Sequence, residues 1–324
     1  MTAPPHILGL DIGGTKTAVV RGDRTGRIHD RVQFATRTER GFDATFDQLC
    51  GSISQMLERS RQAGVQIDAI SVSIGGPLDI GSGIVKSPPN LPGWDNIPLK
   101  QMLADGFALP VYIEHDGNAG ALAEWYFGAA RGAQNVIFLT MGTGFGGGLI
   151  LGGRLYRGTC SLAGEVGHIR LADEGPHAFG KAGSWEGLCG GAGIARRAVE
   201  RHPQRWRAGQ VTTQELAELA LGGDADARAL FTDVGRDVGR GLAILIDILN
   251  TEVIVIGSLA VRLGELVLAP AREEAQREAL PDAFAACRIV PAALGESLGD
   301  VASLCAAIAA LANPQRPSRH DGSP

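Results

Sequence analysis

Cysteine is scarce in this chain of 324 residues and follows no pattern. The five thiols, Cys50, Cys160, Cys189, Cys287 and Cys305, are odd in number and scattered, and no C-x-x-C occurs. Neither a disulfide framework nor a zinc ribbon is encoded, and a reducing compartment, the cytoplasm, is expected. Positive charge is not in excess either. The formal net charge is −5, which argues against a sequence-blind nucleic-acid binder held by phosphate contacts. No apolar run approaches the roughly 18 residues of a membrane span; the longest, 301–312, reads as a core helix. Met1–Pro5 has no basic region followed by an apolar one, so no export signal is expected. The phosphate-loop pattern G-x-x-x-x-G-K-[ST] is absent as well.

What is present is an ordinary globular balance, 44% hydrophobic and 20% charged, with enough length for two domains. Glycine is the outlier. There are 46 residues of it, far above an average share of about 7%. Many backbone positions must therefore need positive φ or a close approach. A strand is expected over 7–11, a turn at Gly13-Gly14 and a second strand over 17–20. Phe42, Phe46, Leu49, Ile53 and Leu57 recur at helical spacing. Residues 69–74 alternate as a strand does, 86–98 form a Pro-rich loop, and a strand over 111–113 delivers Glu114-His115-Asp116. A helix is expected over 119–129.

The second half opens in the same way. A strand over 135–140, a glycine turn over 142–148 and a returning strand over 149–151 repeat the order strand, glycine turn, strand. Leu10-Asp11-Ile12-Gly13 aligns with Leu139-Thr140-Met141-Gly142. The period is too long for a solenoid and points to two related domains. Thr212 and Glu215 make a capping box before a helix. A long helix is expected over 225–249 and a buried strand over 253–256, ending at Gly257. Residues 313–324 read as a frayed tail.

The glycine turns carry the first chemical signal. Gly142, Gly144 and Gly147 satisfy G-x-G-x-x-G, but no helix follows, so the dinucleotide fingerprint does not apply. Two hairpin turns of bare amides remain, with Thr15 beside one and Thr140 and Thr143 beside the other. Facing each other they could grip a polyphosphate; taken singly, each is also an ordinary tight hairpin. Asp11 ends a strand before such a turn, a good place for a carboxylate near metal-bound phosphate. Asp116 sits between a strand end and a helix start, which suits an N-cap and a general base equally. Glu165 and His168, three residues apart among glycines, suit a polyhydroxylated ligand. His168, His177, Cys160 and Cys189 lack zinc-ligand spacing, whereas magnesium carried by a nucleotide needs only one or two carboxylates.

Together these segments resemble the ROK family of sugar kinases, within the actin-like ATPase superfamily. The carriers are L-D-I-G-G-T-K-T (10–17), G-G-P-L-D (75–79), P-N-L-P-G-W (89–94), E-H-D-G-N-A-G-A-L-A-E (114–124), L-T-M-G-T-G-F-G-G-G (139–148), A-G-E-V-G-H (163–168) and V-I-G-S (255–258). The resemblance implies an α/β, two-domain actin-like ATPase (ribonuclease H-like) fold with a cleft between domains. The implied division is a smaller domain over 1–117, joined by a C-terminal helix over 299–312, and a larger one over 118–298. It implies ATP with Mg2+ near Asp11 and phosphoryl transfer to the primary hydroxyl of a glucose-type hexose. Asp11, Gly13, Gly14, Thr15 and Lys16 would form the first phosphate loop and Thr140, Gly142, Thr143 and Gly144 the second. Gly257 would belong to the adenosine side, although the family's usual second glycine is Ser258 here. Asp116 matches the catalytic aspartate. Gly76, Asn90, Glu165, His168 and Glu186 match sugar-contacting positions.

Two departures bear on substrate and metal. The family's C-x-C-G-x-x-G-C, whose cysteines join a histidine on zinc, is replaced by His177-Ala-Phe179-Gly180-Lys-Ala-Gly183-Ser184, so no structural zinc is expected. The asparagine that usually precedes the catalytic aspartate is His115, a further sugar-contacting candidate, which leaves substrate preference open; zinc-free members of the family include kinases for N-acetylated hexosamines, so the resemblance makes N-acetylmannosamine or N-acetylglucosamine an alternative acceptor. A sugar-responsive transcriptional regulator or an inactive sensor is the remaining alternative; only ten residues precede Asp11, too few for a helix-turn-helix module. A homodimer without nucleic-acid or membrane partners is expected.

Overall fold

The computed structural model describes residues 5–312; the expected tail over 313–324 lies outside the described residues. The chain forms two compact units. One comprises the described residues up to Ala123 together with those from Glu296, the other Glu124–Gly295.

The first unit begins with β1 (His6–Ile12), β2 (Lys16–Asp23) and β3 (Ile28–Ala35), an antiparallel meander. Helix α1 (Gly41–Gln62) buries Leu49 and Ile53 of the spaced set, with Met56 beside them, and leaves Phe42, Phe46 and Leu57 partly buried. Then come β4 (Ile67–Ile74), the two-residue strands β5 (Leu78–Asp79) and β6 (Ile84–Val85), helix α2 (Leu99–Phe107) and β7 (Val111–His115). β4 runs parallel to both β1 and β7. The sheet order is β3-β2-β1-β4-β7. Helix α3 spans Asp116–Phe127, and the division between units falls inside it. It starts three residues before the expected Ala119, so Asp116 lies in its first turn.

The second unit holds β8 (Val136–Met141), β9 (Phe145–Leu151) and β10 (Arg154–Tyr156), again an antiparallel meander. A small hairpin of β11 (His177–Ala178) and β12 (Lys181–Ala182) follows, then α4 (Trp185–Cys189), α5 (Gly191–Arg201), α6 (Thr213–Leu221) and α7 (Ala225–Leu249). The unit closes with β13 (Val253–Ile256), α8 (Leu259–Leu263), α9 (Glu265–Glu278), α10 (Pro281–Ala286) and β14 (Arg288–Pro291). The capping box forms as its spacing requires, with Thr212 Oγ1 accepting from Glu215 N and the Glu215 carboxylate accepting from Thr212 N. The sheet order, β10-β9-β8-β13-β14, reproduces that of the first unit strand for strand. β13 runs parallel to β8 as β4 does to β1. The short sequence repeat thus marks two copies of one βββ-α-β-α-β plan, each with its own apolar core.

The last helix, α11 (Leu298–Ala312), packs on β1 and β4 of the first unit. Its stretch Gly295–Ala312 has a mean hydropathy of 1.3, long and apolar enough by composition to cross a membrane. That apolarity is used in the core instead: Val301, Leu304, Cys305 and Ala307 are buried.

Candidate active site

In the first unit three parallel strands bring their C-terminal ends together, the edge at which α/β sheets bind ligands. β1 carries Asp11 one residue before its end at Ile12, β4 runs into Gly75-Gly76, and β7 delivers His115 to Asp116. The first glycine turn follows β1 and is closed by Gly13 N donating to Lys16 O at 3.1 Å. Thr36, just beyond β3, clamps it: its hydroxyl donates to Gly13 O at 2.6 Å, its amide donates to Thr15 O at 3.0 Å, and Thr17 Oγ1 lies 3.0 Å from its Oγ1. Gly13 and Gly14 are not in the left-handed region. Gly14 is needed for close approach, since a Cβ there would run into the Asn90 carbonyl oxygen.

Asn90 is placed by its neighbours. The Pro-rich loop is pinned by Leu91 and Trp94, both buried, and Trp94 meets Phe42 of α1 edge-on at 5.0 Å. The Asn90 amide and Asp116 Oδ2 both face Gly75: a Cβ there would lie 3.3 Å from Asn90 Nδ2 and 3.6 Å from Asp116 Oδ2. The two carboxylate oxygens of Asp116 are used differently. Oδ1 accepts from Gly117 N at 2.7 Å, the local role of a residue at a helix start, while Oδ2 faces the Asn90 side. His115 Nδ1 lies 3.2 Å from Asp116 Oδ1, and the His115 ring packs so closely on Gly76 that a Cβ there would be 2.8 Å from it. Buried Glu114 accepts from His115 N at 3.1 Å and from Asn118 Nδ2 at 2.9 Å, fixing the segment from below.

Asp11 is the electrostatic centre of this edge. Burial, then the charge of Asp116, push its carboxyl up to about 6, against the opposing pull of Lys16. Its Oδ2 sits against Gly299 at the start of α11, where a Cβ would approach it to 2.6 Å.

In the second unit the glycine turn is shorter than expected. Met141 pairs with Phe145, so only Gly142-Thr143-Gly144 form the turn, and Gly146, Gly147 and Gly148 belong to β9. A run of glycines has no period to separate turn from strand; the ladder to β8 decides it. Gly142 N donates to Gly144 O at 3.0 Å, and Gly191 N donates to Gly142 O at 3.0 Å. Thr140 Oγ1 is 3.3 Å from Ser258 Oγ, just beyond Gly257 at the end of β13. Ser258 holds φ 55°, ψ −111°, backbone of a kind suited to glycine, so the serine keeps the shape of the motif at a conformational cost.

Glu186 is tied to the same turn. Its Oε2 accepts from Phe145 N at 2.8 Å, and a Cβ at Gly144 would come within 2.8 Å of that oxygen. Buried Trp185, its ring tilted against that of Phe145 at 4.6 Å, precedes Glu186 in α4. Glu165 precedes and His168 ends a 3₁₀ turn over Val166–His168, both exposed, and the Gly167 backbone lies against the Glu186 side chain. The Phe179 ring stacks on His168 from the tip of the β11–β12 hairpin. Among the described residues no three His, Cys, Asp or Glu side chains form a group that could hold a metal ion.

The sequence reading missed Thr36, Ser258 as a partner of Thr140, and Phe179. A signal for Thr36 exists: Ile28, Val32 and Phe34 share a face of an alternating stretch that ends just before it.

Comparison with known proteins gives this arrangement a context. The family model described as "ROK family" matches residues 7–311. A glucokinase of Halalkalibacterium halodurans is 30% identical over 305 residues, covering 90% of this chain and 92% of that protein. The crystal structure of a ROK family glucokinase from Streptomyces griseus, in complex with glucose and AMPPNP, is 31% identical with a TM-score of 0.78, covering 92% of this chain and 97% of that one. A xylose repressor of Caldicellulosiruptor bescii is 29% identical, covering 82% of this chain and 69% of that protein.

Proposed function

The chain belongs to the ROK family and has its actin-like ATPase fold, and from that premise we propose that this sugar kinase transfers the γ-phosphoryl group of ATP to the primary hydroxyl of a glucose-type hexose, giving the sugar 6-phosphate. The observation that carries the proposal is the strand edge where Asp116 Oδ2 and the Asn90 amide face the same glycine, beside Asp11 and the clamped first turn.

In this reading the Asn90 amide and Asp116 hold the acceptor hydroxyl, and Asp116 takes its proton as it attacks. The contact of Asp116 Oδ1 with Gly117 N fixes the carboxylate so that Oδ2 is the oxygen presented. Glu165, His168 and Glu186 supply further partners for sugar hydroxyls, and such a polar set rejects a sugar that leaves one of them unpaired. The amides of Gly13-Gly14 and Gly142–Gly144 donate to phosphate oxygens, with the Thr15, Thr140 and Thr143 hydroxyls and Lys16 beside them. Two carboxylates repelling one another beside Lys16 fit a magnesium ion that already holds phosphates, for which one or two carboxylates suffice. Such an ion supplies charge neutralisation when bound. Phosphoryl transfer is loose in its transition state, so placement and charge outweigh base strength.

Glucose is preferred as acceptor because relatives about 30% identical are named glucokinases. The second reading, a 2-acetamido hexose, rests on the segment 177–184 lacking the zinc cysteines, with His115, packed on Gly76 and beside Asp116, where the family usually has asparagine. A coupled kinase assay against glucose, mannose, fructose, allose, N-acetylglucosamine and N-acetylmannosamine separates the two. Sugar binding with no phosphoryl transfer to any of them would refute kinase action and favour a sugar sensor.

A further inference from the structure

The contact between His168 and Phe179 differs from every other ring pair among the described residues. Their centroids are 3.5 Å apart with planes 19° from parallel, whereas the others lie at 4.6 to 5.7 Å. Aromatic pairs ordinarily prefer an offset or edge-on meeting at the longer distances. A face-to-face meeting this close needs a backbone that holds both rings.

The backbone here does so. Phe179 has φ 54°, an outlier for a bulky side chain, which persists only where the surroundings over-determine it. The strands on either side are pinned. His177 pairs with Ala182 and Ala178 with Lys181, and the Arg196 guanidinium donates to His177 O at 2.8 Å. Leu171 N and Ala172 N both donate to Gly183 O, at 2.8 and 3.2 Å. Ser184 then caps α4, which carries Glu186. Without this partner Phe179 would be an apolar ring at a hairpin tip; even with it, the residue is 47% exposed. Stacking engages the face of the imidazole and leaves both ring nitrogens, which lie in its plane, to hydrogen-bond a ligand.

We propose that Phe179 is the positioning residue for His168: its ring fixes the plane of the imidazole and so sets the affinity for the sugar. The inference rests on the reading of His168 as a sugar-contacting residue. The test is steady-state kinetics of the full chain with Phe179→Leu, Phe179→Tyr, His168→Gln and the double variant Phe179→Leu/His168→Gln, together with NMR of the His168 ring protons. Phe179→Leu keeps the apolar bulk and removes the plane. It should raise KM for sugar about threefold to tenfold, the range an aromatic pair is worth, with kcat and KM for ATP changed less than about twofold. Phe179→Tyr should restore KM to within about twofold of the parent. The double variant should be no worse than His168→Gln alone, and the His168 ring protons should lose their upfield ring-current shift in Phe179→Leu. If His168→Gln leaves KM for sugar unchanged, the sugar role of His168 fails and takes the proposal with it. If His168→Gln raises KM while Phe179→Leu does not, or the two losses multiply in the double variant, the proposal alone is overturned.

Discussion

Asp11 should destabilise the ligand-free fold at neutral pH, and removing its charge should stabilise it. The carboxyl is raised from 3.8 to about 6 by burial and by Asp116, so the native state holds a proton more tightly than the unfolded chain does. Where the native state binds more protons, stability falls as pH rises. The fall runs from about pH 4 to about pH 6, and two units at 1.36 kcal/mol each make about 3 kcal/mol as its full extent. Asp11→Asn keeps the shape and lacks the charge. In urea melts of the nucleotide-free protein, the variant should be more stable than the parent by up to about 3 kcal/mol at pH 7.5 and equal to it near pH 3.5. The same variant should lose nucleotide-dependent turnover, and the parent's kcat/KM for nucleotide should fall below about pH 6, since protonation of Asp11 would remove the charge that the proposed magnesium ion would use. A stability difference of either sign that does not change with pH would refute the reasoning, because only titration of Asp11 makes it pH-dependent.

Asp116→Asn should lower kcat by about 10²- to 10⁴-fold while calorimetry finds sugar binding within about tenfold; an unchanged kcat would remove Asp116 from the proton-transfer role. Thr36→Val deletes the hydroxyl bond to Gly13 O, and should cost about 1 kcal/mol in urea melts and raise KM for ATP without altering KM for sugar. Ser258→Gly relieves a serine at φ 55° and should raise stability by about 1 kcal/mol; no gain would mean that the backbone there is not strained.

Much of the fold is legible where the signal is local. The apolar stripe of α1, the Thr212–Glu215 box, the limits of α7 and the strand at 253–256 are each decided by residues within a few positions of one another. The paired glycine turns are legible for the same reason, and so is their repetition in two units. Edges are less so. β3 is a half-exposed outer strand and β10 has three residues, and neither carries an apolar run that separates it from loop. The start of α3 is not legible because Asp116, Gly117 and Asn118 are weak helix formers, while the structure carries the helix through them.

Sequence alone determined the inventory: two strand–glycine turn–strand copies, the acids at Asp11 and Asp116, and the histidine at 168. Tertiary structure decided which atoms meet. Thr36 reaches Gly13 across 23 positions, Ser258 reaches Thr140 across 118, and Asn90 meets Gly14 because two buried side chains pin its loop. The first depends on the register of the antiparallel meander β1-β2-β3, and the second on how the parallel strands β8 and β13, far apart in the chain, line up side by side. That alignment is set by burial summed over a whole sheet, and no single stretch of residues encodes it.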